Sequence, residues 1–191
     1  MIKKISLIII ISLSLLIVIT TTILTFSPIK IVQLEGISMS GINQKYVFHL
    51  AYISDDLDLK RNDVIIFDPM KANIFKELSH YRKIKKLNGE TFTKRIIAFE
   101  GEIIEIKDNE LFIDDELILQ ETSINDFVGE DMLPIKIPKN HYFVAGDYRY
   151  DSLDSRYFGP IDKKSVIGKV ITFDQPAFKK FSHLISNQMG D

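Results

Sequence analysis

A mainly β domain behind a single N-terminal transmembrane helix is the fold class this sequence predicts. Three observations carry it. Ile5 to Ser27 contains no charged residue and is mostly Ile and Leu with some Ser and Thr. The remainder is a series of short runs rich in β-branched and aromatic residues, punctuated by Asp, Asn, Gly and Pro. Those runs lie close enough in sequence to pair as hairpins, so antiparallel pairing should dominate.

Composition narrows the function. The chain has 191 residues, and without its apolar start roughly 160 remain, enough for one domain with its own core. With 24 basic and 26 acidic residues, the charge balance points to no nucleic acid partner. There is no Cys, which excludes a thiolate zinc site, a disulfide framework and a Cys nucleophile. His49, His80, His141 and His183 show no metal-ligand spacing and read as ordinary polar residues. No metal and no cofactor is expected, and nothing in the sequence sets an oligomeric state.

The N-terminal elements follow from charge and length. Residues 1–4 carry Lys3 and Lys4 and read as a short cytoplasmic tail. Residues 5–27 are long enough, at 1.5 Å per helical residue, to span a hydrocarbon core of about 30 Å. A cleaved secretory signal is the competing reading, but its apolar region usually runs about 7–15 residues. Thr25-Phe26-Ser27 before Pro28 is also a poor cleavage site. The expectation is an uncleaved single-pass anchor in the cell membrane, lysines inside and residues 28–191 outside. The roughly ten residues between Ser27 and Ser38 reach at most about 35 Å fully extended, so a reactive Ser38 would act near the outer membrane surface; the alternative is that this juxtamembrane Ser is merely a linker residue.

Beyond Ser38, Tyr46-Val47-Phe48 and Val64 to Phe67 read as strands, the second ended by Asp68-Pro69. Pro69 to Glu90 is rich in Lys and Arg (Lys71, Lys76, Arg82, Lys83, Lys85, Lys86) and reads as a loop or a short helix. Thr91 to Phe99 is a strand. Ile103 to Ile106 and Leu111 to Ile113 form a hairpin about Asp108-Asn109, and Asp114-Asp115 turns the chain again before Leu117 to Leu119. Glu121 to Asn140, with Gly129, Pro134 and Pro138, reads as an irregular excursion. His141 to Ala145 and Val166 to Phe173 are the last strands, and Asn187 to Asp191 a frayed end.

Three stretches carry candidate chemistry. Ser38 follows Gly36 and Ile37. A Ser hydroxyl is a weak nucleophile and needs a base, and no Ser/His/Asp arrangement is evident, whereas Ser with Lys obeys the same logic. Lys94 lies on the Thr91–Phe99 strand, where period two places it with Phe92 and Ile96 and puts Arg95 on the opposite face. Among apolar neighbours a Lys loses hydration and its pKa falls. From about 10.4 it has to drop roughly three units to act near neutrality, on the order of 4 kcal/mol. The alternative is a surface Lys whose stem covers apolar neighbours. The third stretch, Gly146 to Arg156, offers a close backbone approach at Gly146, a hydroxyl at Ser152 to orient a buried amine, and an Asp154–Arg156 pair to brace the loop. Its alternative is an Asp-rich surface turn. The backbone N–H of Ser38 is a candidate oxyanion donor, while Gly36 brings no second hydroxyl.

Taken in order, Ser38-Met39, Lys94-Arg95-Ile96-Ile97 with Gly101 beyond, Gly146-Asp147 and Ser152-Leu153-Asp154-Ser155-Arg156-Tyr157-Phe158-Gly159 resemble the bacterial type I signal peptidases, which are membrane-bound serine endopeptidases with a Ser/Lys dyad. Asn62 to Phe67 resembles the segment that precedes the Lys strand, and the likeness runs from the anchor to about Phe173. It implies a β-rich catalytic domain with a smaller β excursion, Ser38 as nucleophile and Lys94 as general base. Ser152 would orient the Lys, and Asp154, Arg156 and Gly146 would support the site. Gly36, Ile37, Phe92 and Thr93 would line the substrate groove, with Met39 on the membrane-facing surface. The partners implied are preprotein signal peptides and membrane lipid. The chain departs from the family pattern at Gly41, Ile42, Ala98, Glu100, Glu102 and Tyr148, which makes it a divergent member whose short chain and single anchor resemble the Gram-positive type. Two functions follow: removal of signal peptides from exported preproteins or, as the alternative, a non-enzymatic or narrowly specialised factor in assembly of a surface structure.

Overall fold

The computed structural model describes residues 2–39, 44–72, 74, 90–118 and 128–171. The basic segment over 75–89, residues 119–127, Gly41, Ile42 and the C-terminal stretch from 172 lie outside the described residues, as do His80 and His183. Helix α1 runs Ile2–Phe26. Its hydroxyls bond back to carbonyls one turn earlier, Thr21 to Ile17 at 2.8 Å and Thr25 to Thr21 at 2.7 Å, so an apolar helix tolerates a Thr-rich end. Lys30 Nζ caps the last turn through the Thr25 carbonyl at 2.8 Å. The sequence predicts a membrane span here. Among the described residues no helix is long and apolar enough to cross a membrane, and the side chains of α1 before Ile9 are not among those described.

The described strands are β1 (Ile29–Gly36), β2 (Gln44–Ile53), β3 (Val64–Phe67), β4 (Phe92–Phe99), β5 (Ile103–Lys107), β6 (Glu110–Ile113), β7 (Glu116–Leu117), β8 (Met132–Lys136), β9 (His141–Ala145), β10 (Ile161–Asp162) and β11 (Val166–Val170). They form a larger sheet ordered β1-β2-β11-β3-β4-β9-β10 and a smaller one ordered β7-β6-β5-β8. The described pairings are antiparallel. The mainly β expectation holds. Both predicted turns are present: Asp108 and Asn109 have φ of 52° and 62°, Asp114 and Asp115 of 51° and 65°, two left-handed residues in a row as a tight hairpin requires.

Two expectations are corrected. Ile29–Gly36 is a strand and not only a spacer before Ser38, because its backbone pairs with β2 from Ile29↔Tyr52 onwards. Within the predicted irregular excursion, Met132–Lys136 is also a strand despite Pro134. It sits at the edge of the smaller sheet, where a missing N–H breaks no ladder bond. The larger sheet buries Ile65, Phe67, Ile96, Val144, Phe158 and Ile161 in one cluster. The smaller sheet packs Ile104, Ile106, Leu111 and Ile113 against Ile97, Phe143 and Ala145 in another. Strand β4 therefore has apolar cover on both faces.

Candidate active site

That double cover decides the state of Lys94 and Arg95. The sequence places them on opposite faces of one strand; the fold buries both, at 5% and 1% exposure. Strand β4 lies between β3 and β9, with Ile65↔Lys94 and Arg95↔Ala145 in register. Lys94 Nζ donates to Ser38 Oγ at 2.7 Å, joining residues 56 positions apart, and stands 5.6 Å from the Phe92 ring centroid. Burial pushes the ammonium down from its ordinary value to about 8, against the opposing pull of Asp154 and Asp147. The surface-Lys alternative is thereby removed.

Ser38 is held from the other side by the Gly146–Arg156 stretch. Its carbonyl accepts from the Tyr148 N–H at 2.9 Å. A Cβ on Gly146 would stand 2.4 Å from that carbonyl and 2.3 Å from Ser152 Oγ, so no side chain fits there. Asp154 is fully buried. Its Oδ2 accepts from Gly146 N at 2.9 Å, and its two oxygens take Arg156 Nε at 2.8 Å and Nη2 at 2.9 Å. Burial alone would raise the Asp154 carboxyl, but the hydrogen bonds and charge of Arg156 outweigh it and the pKa falls. Arg156 also donates to the Arg149 carbonyl at 2.9 Å and the Val128 carbonyl at 3.0 Å. The loop is thus a buried brace, not a surface turn, with a short helix α2 over Ser155–Phe158 capped by Asp154.

Ser152 is buried at 6% exposure; its hydroxyl helps to hold the Asp154 carboxyl down but makes no well-formed hydrogen bond among the described residues. The expected bond to the Lys94 amine is not made; the hydroxyl packs on Gly146 instead. Met39 is a second correction. At 8% exposure it packs with Ala51, Val64, Ile66 and Val170, so it anchors the Ser38 turn to the core and does not face a membrane.

Sequence reasoning missed a second buried pair. Arg95 Nε and Nη2 meet Asp147 Oδ1 and Oδ2 at 2.8 and 2.6 Å, and Nη1 donates to the Asn62 carbonyl at 2.6 Å. Such a two-pronged ion pair fixes where Gly146-Asp147 sits relative to β4. Nothing local signals it, because the partners are 52 positions apart and only the β4–β9 register brings them together. Arg149, also buried, donates from Nε to the Gly146 carbonyl at 2.5 Å; burial lowers its pKa to about 10, with Asp154 opposing. Two departures from the family pattern have structural work here. Glu102 receives Phe99 N at 2.7 Å and pairs with Arg61 at 2.5 Å; Glu100 receives Asn140 N at 2.7 Å and Lys163 at 3.0 Å.

A groove of about 570 Å³ runs past the Ser–Lys contact, with Gly36, Ile37 and Ser38 on one wall and Phe92, Thr93 and Lys94 on the other. Gly36 has φ of 97°, a conformation that favours glycine. Among the described residues no cluster of His, Asp or Glu is placed to hold a metal. A buried amine of lowered pKa in contact with a hydroxyl, at the side of an open groove, has the parts for nucleophilic acyl transfer.

Known proteins with similar sequences bear on this geometry. The family described as signal peptidase, peptidase S26, matches residues 3–173. Signal peptidase I P of Bacillus subtilis subsp. natto is 31% identical over 157 residues, 75% of this chain and 74% of that protein. Thylakoidal processing peptidase 1, chloroplastic, of Arabidopsis thaliana is 30% identical over 110 residues, 58% of this chain but 31% of the longer plant protein. A solved signal peptidase I from Enterococcus faecalis V583 is 26% identical and covers 60% of this chain and 98% of its own, at a TM-score of 0.45. With the match extending from the start of α1 past the last described strand, the chain belongs to the signal peptidase family, peptidase S26.

Proposed function

We propose that this protein is a membrane-bound serine endopeptidase that removes signal peptides from exported preproteins, with Ser38 as nucleophile and Lys94 as general base. The 2.7 Å contact between Lys94 Nζ and Ser38 Oγ carries the reading, and family membership supports it. With a pKa of about 8, about a tenth of the Lys94 amines are neutral at pH 7. The neutral amine takes the Ser38 proton as Oγ attacks the scissile carbonyl. The tetrahedral oxyanion forms beside the Ser38 N–H, and the protonated Lys94 returns its proton to the leaving amine. A water molecule then enters, Lys94 takes its proton in turn, and hydrolysis of the acyl-enzyme frees Ser38. Arg95–Asp147 and Asp154–Arg156 hold the two halves of the site in register. Ser152, beside Gly146, is a positioning residue for the amine in this reading.

Helix α1 is the membrane anchor in this reading, with residues 1–4 in the cytoplasm and residues 28–191 outside. Its 25 residues reach about 37 Å at 1.5 Å each, and Ile5 to Ser27 carries no charge. A second feature supports the placement. The outward positions of the β1–β2 pair nearest α1 are apolar and exposed: Ile29, Ile31, Phe48, Leu50 and Tyr52 at 37–73%, with Ile29↔Tyr52 and Ile31↔Leu50 directly opposite, before Gln33 and Glu35 continue that face of β1. Only Ser27 and Pro28 separate this face from α1, which suits contact with the bilayer surface and a substrate still held in the membrane.

Purified full-length protein in a neutral detergent, incubated with a preprotein carrying a small-x-small site, tests the reading. Cleavage by wild type and loss of at least about 10³-fold in Ser38→Ala and in Lys94→Ala is the expected result. Undiminished cleavage by either variant overturns it.

A further inference from the structure

The groove beside Ser38 and Lys94 is also lined by three carboxylates: Glu35 on its β1 wall, Glu90 at the entry to β4, and Asp151 on the loop after Gly146. All three are exposed. Gln33 Nε2 donates to Glu35 Oε1 at 2.8 Å, but among the described residues none of the three forms an ion pair. Among the described residues, Arg95 pairs with Asp147, Arg156 with Asp154 and Lys169 with Asp63. Lys94 is the one cation among the described lining residues, and it has to be neutral to act as a base. With Lys94 neutral, the charged side chains among the described lining residues are all carboxylates. The carboxylates are spread along the groove and do not converge as a metal site.

We propose that this acidic lining selects peptides carrying a Lys or Arg within about four residues of the scissile bond, and disfavours Asp or Glu there. The inference rests on the reading of Ser38 and Lys94 as a peptidase dyad. Glu35 lies three positions before Ser38 and Glu90 four before Lys94. Even fully extended, at about 3.3 Å per residue, three and four residues keep Glu35 and Glu90 within about 10 and 13 Å of the dyad, in reach of substrate side chains three or four residues from the cut. Exposed charge pairs are individually weak, and they fade with salt because the screening length falls from about 10 Å at 0.1 M to about 3 Å at 1 M. Exchanging a substrate Lys for Glu turns attraction into repulsion at more than one carboxylate, so a preference of about tenfold is expected at low ionic strength.

A panel of peptides with one small-x-small site, carrying Lys, Ala or Glu in turn at each position within four residues of the cut except the two small residues of the site, reads this directly. With full-length protein in neutral detergent, kcat/KM should order Lys above Ala above Glu at one or more positions. The Lys-to-Glu ratio should shrink towards one in 1 M salt and in the Glu35→Gln/Glu90→Gln double variant. Equal kcat/KM at every position in low salt overturns the charge selection and leaves the peptidase reading intact. Should wild type cleave no peptide of the panel, the peptidase reading fails. Anisotropy of the same peptides labelled and bound to Ser38→Ala still decides the charge preference, tighter Lys peptides supporting it and equal affinities overturning it.

Discussion

The Ser38 carbonyl accepts a hydrogen bond from the Tyr148 N–H at 2.9 Å, so the turn that presents the nucleophile is stitched to the loop that follows β9. Gly146 makes the stitch possible, since a Cβ there would overlap the same carbonyl at 2.4 Å. Gly146→Ala should push the two segments apart. We expect cleavage to fall at least about 100-fold through misplacement of Ser38, with a stability loss of about 1–3 kcal/mol from overpacking. Kinetics alongside thermal unfolding measure both; full activity would mean that the stitch is dispensable.

Lys94 should cost the fold stability where it is charged. Its folded pKa of about 8 lies below the unfolded value of about 10.4, so between these values the unfolded chain binds the extra proton. Stability therefore rises with pH from about 8 to about 10, and the penalty is fully present below 8. Lys94→Met, inactive as a peptidase, should unfold at higher temperature than wild type at pH 7, by on the order of 2 kcal/mol in stability. The gap should narrow at pH 10. A variant less stable than wild type at pH 7 would contradict the buried-amine account.

Removing one partner of a buried pair leaves the other charge stranded. Asp154→Ala should cost about 3–5 kcal/mol, because it releases Arg156 and the Gly146 N–H together. Asp154 has a lowered pKa in the fold. Its contribution is present above the ordinary Asp value, about 3.9, and is lost as pH falls through its folded value. Urea unfolding of wild type and variant at pH 7 and pH 3 should show the difference between them shrinking in acid.

Much of this was legible in the sequence because it is local. The β-branched run over Phe92–Phe99, the two double-Asx turns and the Asp154–Arg156 spacing each state their structure within a few residues. What was not legible depends on chain segments meeting. Ile29–Gly36 looks like a linker because it follows directly on an apolar helix and its outward positions mix Ile29 and Ile31 with Gln33 and Glu35, leaving no clean alternation. Only pairing with β2 makes it a strand. Arg95–Asp147 is joined by the β4–β9 register, and Ser38–Lys94 by the turn after β1 meeting a strand that β1 does not pair with. The burial of Met39 depends on β2, β3 and β11 closing over it, which a Ser-Met pair does not announce.

The apolar face of β1 and β2 gives a prediction specific to membranes. Ile31→Asp with Leu50→Asp should weaken cleavage of a preprotein held in anionic lipid vesicles by about tenfold, while a short soluble peptide in detergent is cleaved within about twofold of the wild-type rate. Parallel rates in the two assays separate surface contact from damage to the site. Equal losses in both would mean that the face belongs to folding alone.

The central claim is that Lys94, lowered by burial, activates Ser38. The pH dependence of preprotein cleavage tests it most directly. Under single-turnover conditions the wild-type rate should rise through an apparent pKa near 8 and level off above it, as the neutral amine accumulates, and Lys94→Ala should be inactive across the range. A wild-type rate that is flat from pH 6 to 10, or a midpoint near that of free Lys, would contradict it.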